Sequence, residues 1–228
     1  MQYNLTNNPI LTPYQITILR TFFDTDFAKP FFLTGGTALS AFYYAHRESK
    51  DLDFFSLSPF SVQQLNQIVV ELANATSSVV NTKVQTPMYH EVYLENKSEG
   101  WIQRLDFVQE QPIRFGQPRN IDGIIVDTLE NIGSNKICAI FGRLEIKDYI
   151  DLYAILTQSK LTFDHLFELS KQKDLGLNEF TLGSSIVDLS QISIWPILKK
   201  DLDKGQINKF YQDLSINLLK RAKPKNSD

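Results

Sequence analysis

Asp51 and Asp53 stand one residue apart in Lys50-Asp51-Leu52-Asp53-Phe54-Phe55. Side chains of an extended strand alternate between faces, so both carboxylates would point one way while Leu52 points to a core. Paired negative charges repel and raise each other's pKa, which an exposed or metal-bound setting relieves and a buried unpaired one does not. Magnesium suits such a pair, because it favours oxygen ligands and binds through one or two carboxylates together with substrate phosphates. A further carboxylate, Asp106, lies in Arg104-Leu105-Asp106-Phe107-Val108. If its strand lies beside the first, three carboxylates converge, enough for a two-metal site that activates an attacking oxygen and holds a triphosphate. Upstream, Gly35-Gly36 separates the apolar Phe31-Phe32-Leu33 from a helix-compatible stretch, Thr37 to Tyr44. Backbone N–H groups at such glycines can approach a phosphate closely, helped by the positive end of the following helix. Each piece alone also has a plain reading: a Gly-Gly turn, or a solvated Asp-x-Asp at a strand edge.

Around these groups the sequence predicts an alternation of helices and strands. Thr12-Pro13-Tyr14-Gln15 carries a hydroxyl at the N-cap, proline at the first helical position and Gln three residues after the cap, which predicts a helix to about Phe23. Phe31 to Leu33 and Leu52 to Phe55 read as short strands. Ser58-Pro59 repeats the cap-then-proline signal ahead of an amphipathic stretch, Val62 to Leu72. From about Ser78 to Val108 the period becomes two, with Met88, His90, Val92 and Leu94 alternating with Tyr89, Glu91, Tyr93 and Glu95. After the turn-like Asn96 to Gly100 a second strand runs from Trp101, which predicts an antiparallel hairpin. Ile124 to Val126 adds a short extended piece. Beyond Thr128 the spacing predicts helices over Asn135–Phe141, Tyr149–Thr157, Asp164–Lys171 and Gln206–Lys220. The expected architecture is α+β, a mixed sheet flanked by helices over residues 1–125, followed by an all-helical domain over 126–228.

With 228 residues, 43% of them hydrophobic, the chain can bury one large core or two small ones. Its net charge of −3 argues against a surface that coats nucleic acid everywhere, while leaving room for a local basic groove. Lys220-Arg221-Ala222-Lys223-Pro224-Lys225 is either a solvated end or a weak phosphate-contacting arm. Cys138 is the only cysteine, so no disulfide forms within the chain and no cysteine-based zinc site can be built. His46, His90 and His165 are too scattered for a metal cluster. No apolar run approaches the roughly 20 residues of a membrane span, and MQYNLTNNP lacks a basic region followed by an apolar core, so a cytoplasmic protein with no membrane partner is expected.

The order strand, Gly-Gly, helix, Asp-x-Asp, hairpin and single strand carboxylate resembles the DNA polymerase beta-like nucleotidyltransferase superfamily. "GGTALSAFYYAHRESKDLDFF" and "NKICAIFGRLEIKDYIDLYAI" are similar to the AbiEii/AbiGii branch, toxins of abortive-infection toxin-antitoxin systems. The similarity covers most of residues 30 to 157, and the last 70 or so residues match no motif. The resemblance implies a minimal nucleotidyltransferase fold and magnesium-dependent use of a nucleoside triphosphate (NTP), with manganese as the alternative ion. In some members it implies transfer to the tRNA acceptor end. Carried onto this sequence, it makes Gly35, Gly36 and Thr37 the phosphate loop and Asp51 and Asp53 the paired metal ligands. Asp106 becomes the third, base-like carboxylate.

In the second block Lys136 and Arg143 are two helical turns apart, hence on one side of a continuous helix. Their plain reading is a solvated helix face; the resemblance implies that they hold the triphosphate. Asp148, with Asp151 one turn on, matches the later acidic motif that orients Lys136 or the substrate; by its position it would equally cap a helix beginning near Tyr149. Arg47 matches a motif position that contacts phosphate or pairs with an aspartate. His46 is either a motif residue or a packed one, and Ser49 matches without a role. Tyr149 and Tyr153 fit packing better than base stacking. The expected activity is transfer of a nucleoside monophosphate (NMP) from an NTP to an acceptor hydroxyl, with RNA as acceptor and an antitoxin encoded nearby. The rivals are a binding module without turnover on the same fold, and an enzyme acting on a small molecule.

Overall fold

A computed structural model describes residues 3–199 and 202–223, and divides into two compact units, Met1–Thr128 and Leu129–Asp228. The fold is α+β. In the first unit α1 (Pro13–Phe23) begins with the predicted capping box: Thr12 accepts from the Gln15 N–H, and the Gln15 side chain accepts from the Thr12 N–H. Strand β1 (Phe31–Thr34) runs into α2 (Gly35–Leu39), which widens to a π-helical turn over Ser40–Tyr44 and stops at Ala45 in the left-handed region. Then follow β2 (Leu52–Ser56), α3 (Val62–Ala75), β3 (Val79–Gln85), β4 (Tyr89–Asn96), β5 (Trp101–Gln109), β6 (Arg119–Ile121) and β7 (Ile124–Val126). The cap of α3 is Ser61, which accepts from the Gln64 N–H, and not the expected Ser58. Ser58 instead closes a local turn, its N–H donating to Ser56 Oγ.

All seven strands form one sheet in the order β3-β4-β5-β2-β1-β7-β6. β1 and β2 are antiparallel, whereas β2 and β5 are parallel with Leu52 opposite Leu105 and Asp53 opposite Asp106. Alternation therefore sends Leu52, Phe54, Leu105 and Phe107 to one face, where all are fully buried. Phe54 and Phe107 stack there at 5.0 Å, and Phe22 of α1 lies 4.4 Å from Phe54. Burial of this kind contributes about 1.5–3 kcal/mol per side chain, and it fixes the register: a slip of one residue would exchange core and outer faces. The predicted hairpin is β4–β5, with His90, Val92 and Leu94 buried as the alternation requires, while Met88 lies outside it and is exposed.

The second unit is helical: α4 (Leu129–Gly142), α5 (Ile146–Gln158), α6 (Phe163–Lys173), α7 (Glu179–Ser185) and α8 (Lys204–Arg221). Each predicted helix lies inside one of these, and α7 is additional. A Cβ on Gly133 would meet Leu166 at 2.7 Å, so the glycine lets α4 and α6 approach closely. Tyr149 and Tyr211 meet edge to face at 4.8 Å, both fully buried, and the Tyr211 hydroxyl donates to the Tyr149 carbonyl at 2.6 Å. Of the basic tail, Lys220 and Arg221 close α8, and Pro224 and Lys225 lie outside the described residues. Among the described residues no helix is long and apolar enough to cross a membrane.

Candidate active site

The β1–α2 turn and the start of β2 are built against each other. Gly35 has φ +71°, and a Cβ there would lie 2.1 Å from Asp53 Oδ2. Only glycine permits both that backbone and that approach. A Cβ on Gly36 would lie 2.1 Å from Arg47 Nη2 and 3.0 Å from Ser49 Oγ, so the second glycine gives Arg47 its place. Arg47 is buried and donates to the Glu48 carbonyl at 2.8 Å. The Thr37 hydroxyl, also buried, bonds Ser49 Oγ at 2.9 Å and the Asp51 carbonyl, which ties α2 to the segment entering β2. His46 is fully buried with Nδ1 3.3 Å from Ser40 Oγ, the packed alternative.

Parallel register places the half-buried Asp53 and the 7% exposed Asp106 side by side on the face opposite the core. Arg104, two residues earlier on β5, sets its Nε 3.2 Å from Asp106 Oδ1 and 3.0 Å from Oδ2, and the Tyr89 hydroxyl lies 2.9 Å from Oδ1. Burial pushes the Asp106 carboxyl up and Asp51 adds to the rise, with Arg104 and Tyr89 opposing them; the net direction is upward. Glu91 of β4 stands opposite Asp106. It accepts from Tyr93 at 2.9 Å and from Tyr89 at 3.1 Å, and Arg104 Nη2 is 3.7 Å away. The Tyr93 hydrogen bond foremost holds its carboxyl low. Arg104, Tyr89 and Glu91 carry no motif of their own in the sequence. Their signal was the polar half of the period-two alternation, but that pattern does not say which residues meet across strands.

A second buried group lies at the end of β1. Asp127, fully buried, accepts from the Thr34 hydroxyl at 2.7 Å, from the Thr128 N–H at 2.8 Å and from Arg114 at 2.9 and 3.1 Å. The Arg114 guanidinium also lies 4.2 Å over the Phe32 ring. This network fixes Thr34, the residue before the glycines.

In the helical unit, Lys136 Nζ bridges Asp148 and Asp151 at 2.7 Å each, both carboxylates being fully buried. Arg143 just past α4 reaches Asp148 at 2.9 Å, with half its side chain exposed. Lys136 and Arg143 thus share a side as their spacing predicts, and what they share there is Asp148. Asp148 sits inside the first turn of α5, which begins at Ile146 with Glu145 as N-cap, so it is not the cap of a helix near Tyr149. Burial pushes Asp148 up, but Lys136 and Arg143 outweigh it and hold the carboxyl below its usual range.

The hard oxygen donors Asp51, Asp53 and Asp106 fit magnesium chemically. As they stand, no group of three or more His, Cys, Asp or Glu among the described residues is drawn together to hold a metal ion. Arg104 occupies both oxygens of Asp106 instead.

A profile of the nucleotidyl transferase AbiEii toxin family, of type IV toxin-antitoxin systems, matches residues 17–215. Among solved structures, JHP933 from Helicobacter pylori superposes with a TM-score of 0.60 at 20% identity, covering 91% of this chain and 90% of that one. The nucleotidyltransferase toxin MenT4 from Mycobacterium tuberculosis H37Rv gives 0.56 at 11% identity, covering 89% and 80%. At these identities the likeness is one of fold. No curated protein matches the chain.

Proposed function

The chain belongs to the AbiEii nucleotidyl transferase toxin family, and on that premise we propose that it moves NMP from an NTP to an acceptor hydroxyl of RNA, the tRNA 3′ end, with magnesium, releasing pyrophosphate. The observation that carries this is the parallel register of Asp53 with Asp106 beside a glycine whose missing Cβ makes room for the Asp53 carboxylate. Asp51, Asp53 and Asp106 would hold the ion, which when bound neutralises phosphate charge and lowers the pKa of an oxygen it touches. Asp106, the most buried of the three, accepts the proton of the acceptor hydroxyl in this reading. Gly35 and Gly36 present backbone N–H groups to the phosphates, and Thr37, Arg47 and Ser49 keep that loop in register with Asp51. For Lys136, Asp148 and Arg143 we keep the roles implied by the family resemblance; Arg143 is the one with surface to offer a nucleotide. The partner of such a toxin is an antitoxin of the same system.

The test is incubation of the purified chain with magnesium, each labelled NTP, and tRNA, total RNA or no acceptor. Label on tRNA that disappears with Asp51→Asn Asp53→Asn supports the proposal. Absence of transfer to any acceptor, with equal nucleotide affinity in wild type and the double variant, overturns it.

A further inference from the structure

Arg104 faces two carboxylates on neighbouring strands. Its Nε lies 3.0 and 3.2 Å from the oxygens of Asp106, and its Nη2 lies 3.7 Å from Glu91 Oε2. The Tyr89 hydroxyl touches all three, at 3.1 Å from Arg104 Nη2, 2.9 Å from Asp106 Oδ1 and 3.1 Å from Glu91 Oε2. A phenol has one proton, so Tyr89 can donate to only one carboxylate at a time while accepting from Arg104. The Arg104 side chain is 35% exposed and the Asp106 side chain alone only 10%, so it is the arginine that has room to move.

We propose that Arg104 is an internal counter-cation that competes with the divalent metal for Asp106, and that Glu91 is the anion that receives it when the metal binds. The inference rests on the reading of Asp51, Asp53 and Asp106 as metal donors. A shift of the guanidinium toward Glu91, with the Tyr89 proton turning from Glu91 to Asp106 or back, exchanges partners without leaving either charge unpaired. Leaving a charge unpaired in such a half-buried place is the costly alternative. Competition of this kind has a sign that simple support of the fold lacks. Removing the competitor's charge strengthens the field at the carboxylates and tightens cation binding, whereas removing the receiving anion holds Arg104 on Asp106 and weakens it.

The experiment is titration of the full-length protein with Mn2+ alone, followed by the electron paramagnetic resonance of the free ion at low salt. Thermal melts establish that each variant is folded. Arg104→Gln is expected to lower the Kd about tenfold, Glu91→Gln to raise it several-fold, and Arg104→Lys to fall between wild type and Arg104→Gln. A Kd that is unchanged or raised in both Arg104→Gln and Arg104→Lys, while Asp51→Asn Asp53→Asn abolishes binding, overturns the competition and leaves the metal site standing. Wild-type Mn2+ affinity in Asp51→Asn Asp53→Asn overturns the metal site and the competition with it.

Discussion

Two charge clusters in this chain use the same residue types to opposite ends. In the helical unit, Lys136 bridges Asp148 and Asp151, and Arg143 adds to Asp148 while also reaching Glu145, with both aspartates at 0% side-chain exposure. On the outer face of the sheet, one guanidinium, Arg104, serves both Asp106 and Glu91, and half-buried Asp51 and Asp53 lie nearby at the start of β2. Burial with matched charge makes a cluster part of the scaffold, since removing one member strands the others away from water. Partial exposure keeps a cluster in reach of water, where a ligand can enter and partners can exchange at lower cost.

The largest expected effect tests the closed cluster. Lys136→Met takes from Asp148 and Asp151 the ammonium that bridges them, leaving Arg143 on Asp148, and should lower stability by about 3–5 kcal/mol in urea unfolding; a loss within 0.5 kcal/mol of zero, about the scale of an ordinary surface change, would show that the cluster is solvated. Next comes the open cluster, where Asp51→Asn Asp53→Asn should cut NMP transfer at least about a thousandfold, about 4 kcal/mol in the barrier. Its melting temperature should change far less than that of Lys136→Met, because both side chains are only half-buried. A clear fall in melting temperature would blur the contrast between the clusters.

Gly35→Ala sharpens it further. The left-handed backbone costs an alanine about 1–2 kcal/mol, which should show as a lowered denaturation midpoint, and the new Cβ must displace Asp53, so transfer should drop about a hundredfold in kcat. The smallest effect concerns a buried imidazole whose burial outweighs the opposing influence of the Thr86 backbone. His90 is fully buried against Phe60, and its ring nitrogens lack a hydrogen-bond partner. Burial lowers its pKa below 6.5, so below that pH the unfolded chain takes up a proton the folded chain refuses. Stability should fall with acidity through that window by no more than about 1.4 kcal/mol per pH unit, and a His90→Leu variant should show a flatter profile between pH 7 and 5.5.

What could be read from sequence follows how local each determinant is. The Thr12 capping box, the β4 alternation and the strand-glycine-helix turn are written within a few residues, and they stand as expected. Ser58-Pro59 misled because two hydroxyls three residues apart can each cap, and the helix took Ser61. Strand β6 has three residues and α7 seven, too short for a period to show. Arg104, Tyr89 and Glu91 were visible as polar residues on strands, but their pairing depends on the β4–β5 register, which no single stretch encodes. For Asp148 the local helix-start signal was present, and only tertiary contact with Lys136 and Arg143 shows what its carboxylate touches.

The parallel pairing of β2 with β5 has a consequence in time. Its two strands are separated in the chain by α3, β3 and β4, so Asp53 gains Asp106 as a neighbour only after a long loop has closed. Pairing across so long a loop is intrinsically slower than pairing of neighbouring strands. During synthesis, a chain emerging from the ribosome through residue 100 carries β2 with β1 beside it in sequence but without β5, the strand that bears Asp106. The carboxylate set is therefore assembled only once β5 has emerged and docked, and growth of the chain itself delays the moment at which a competent site exists.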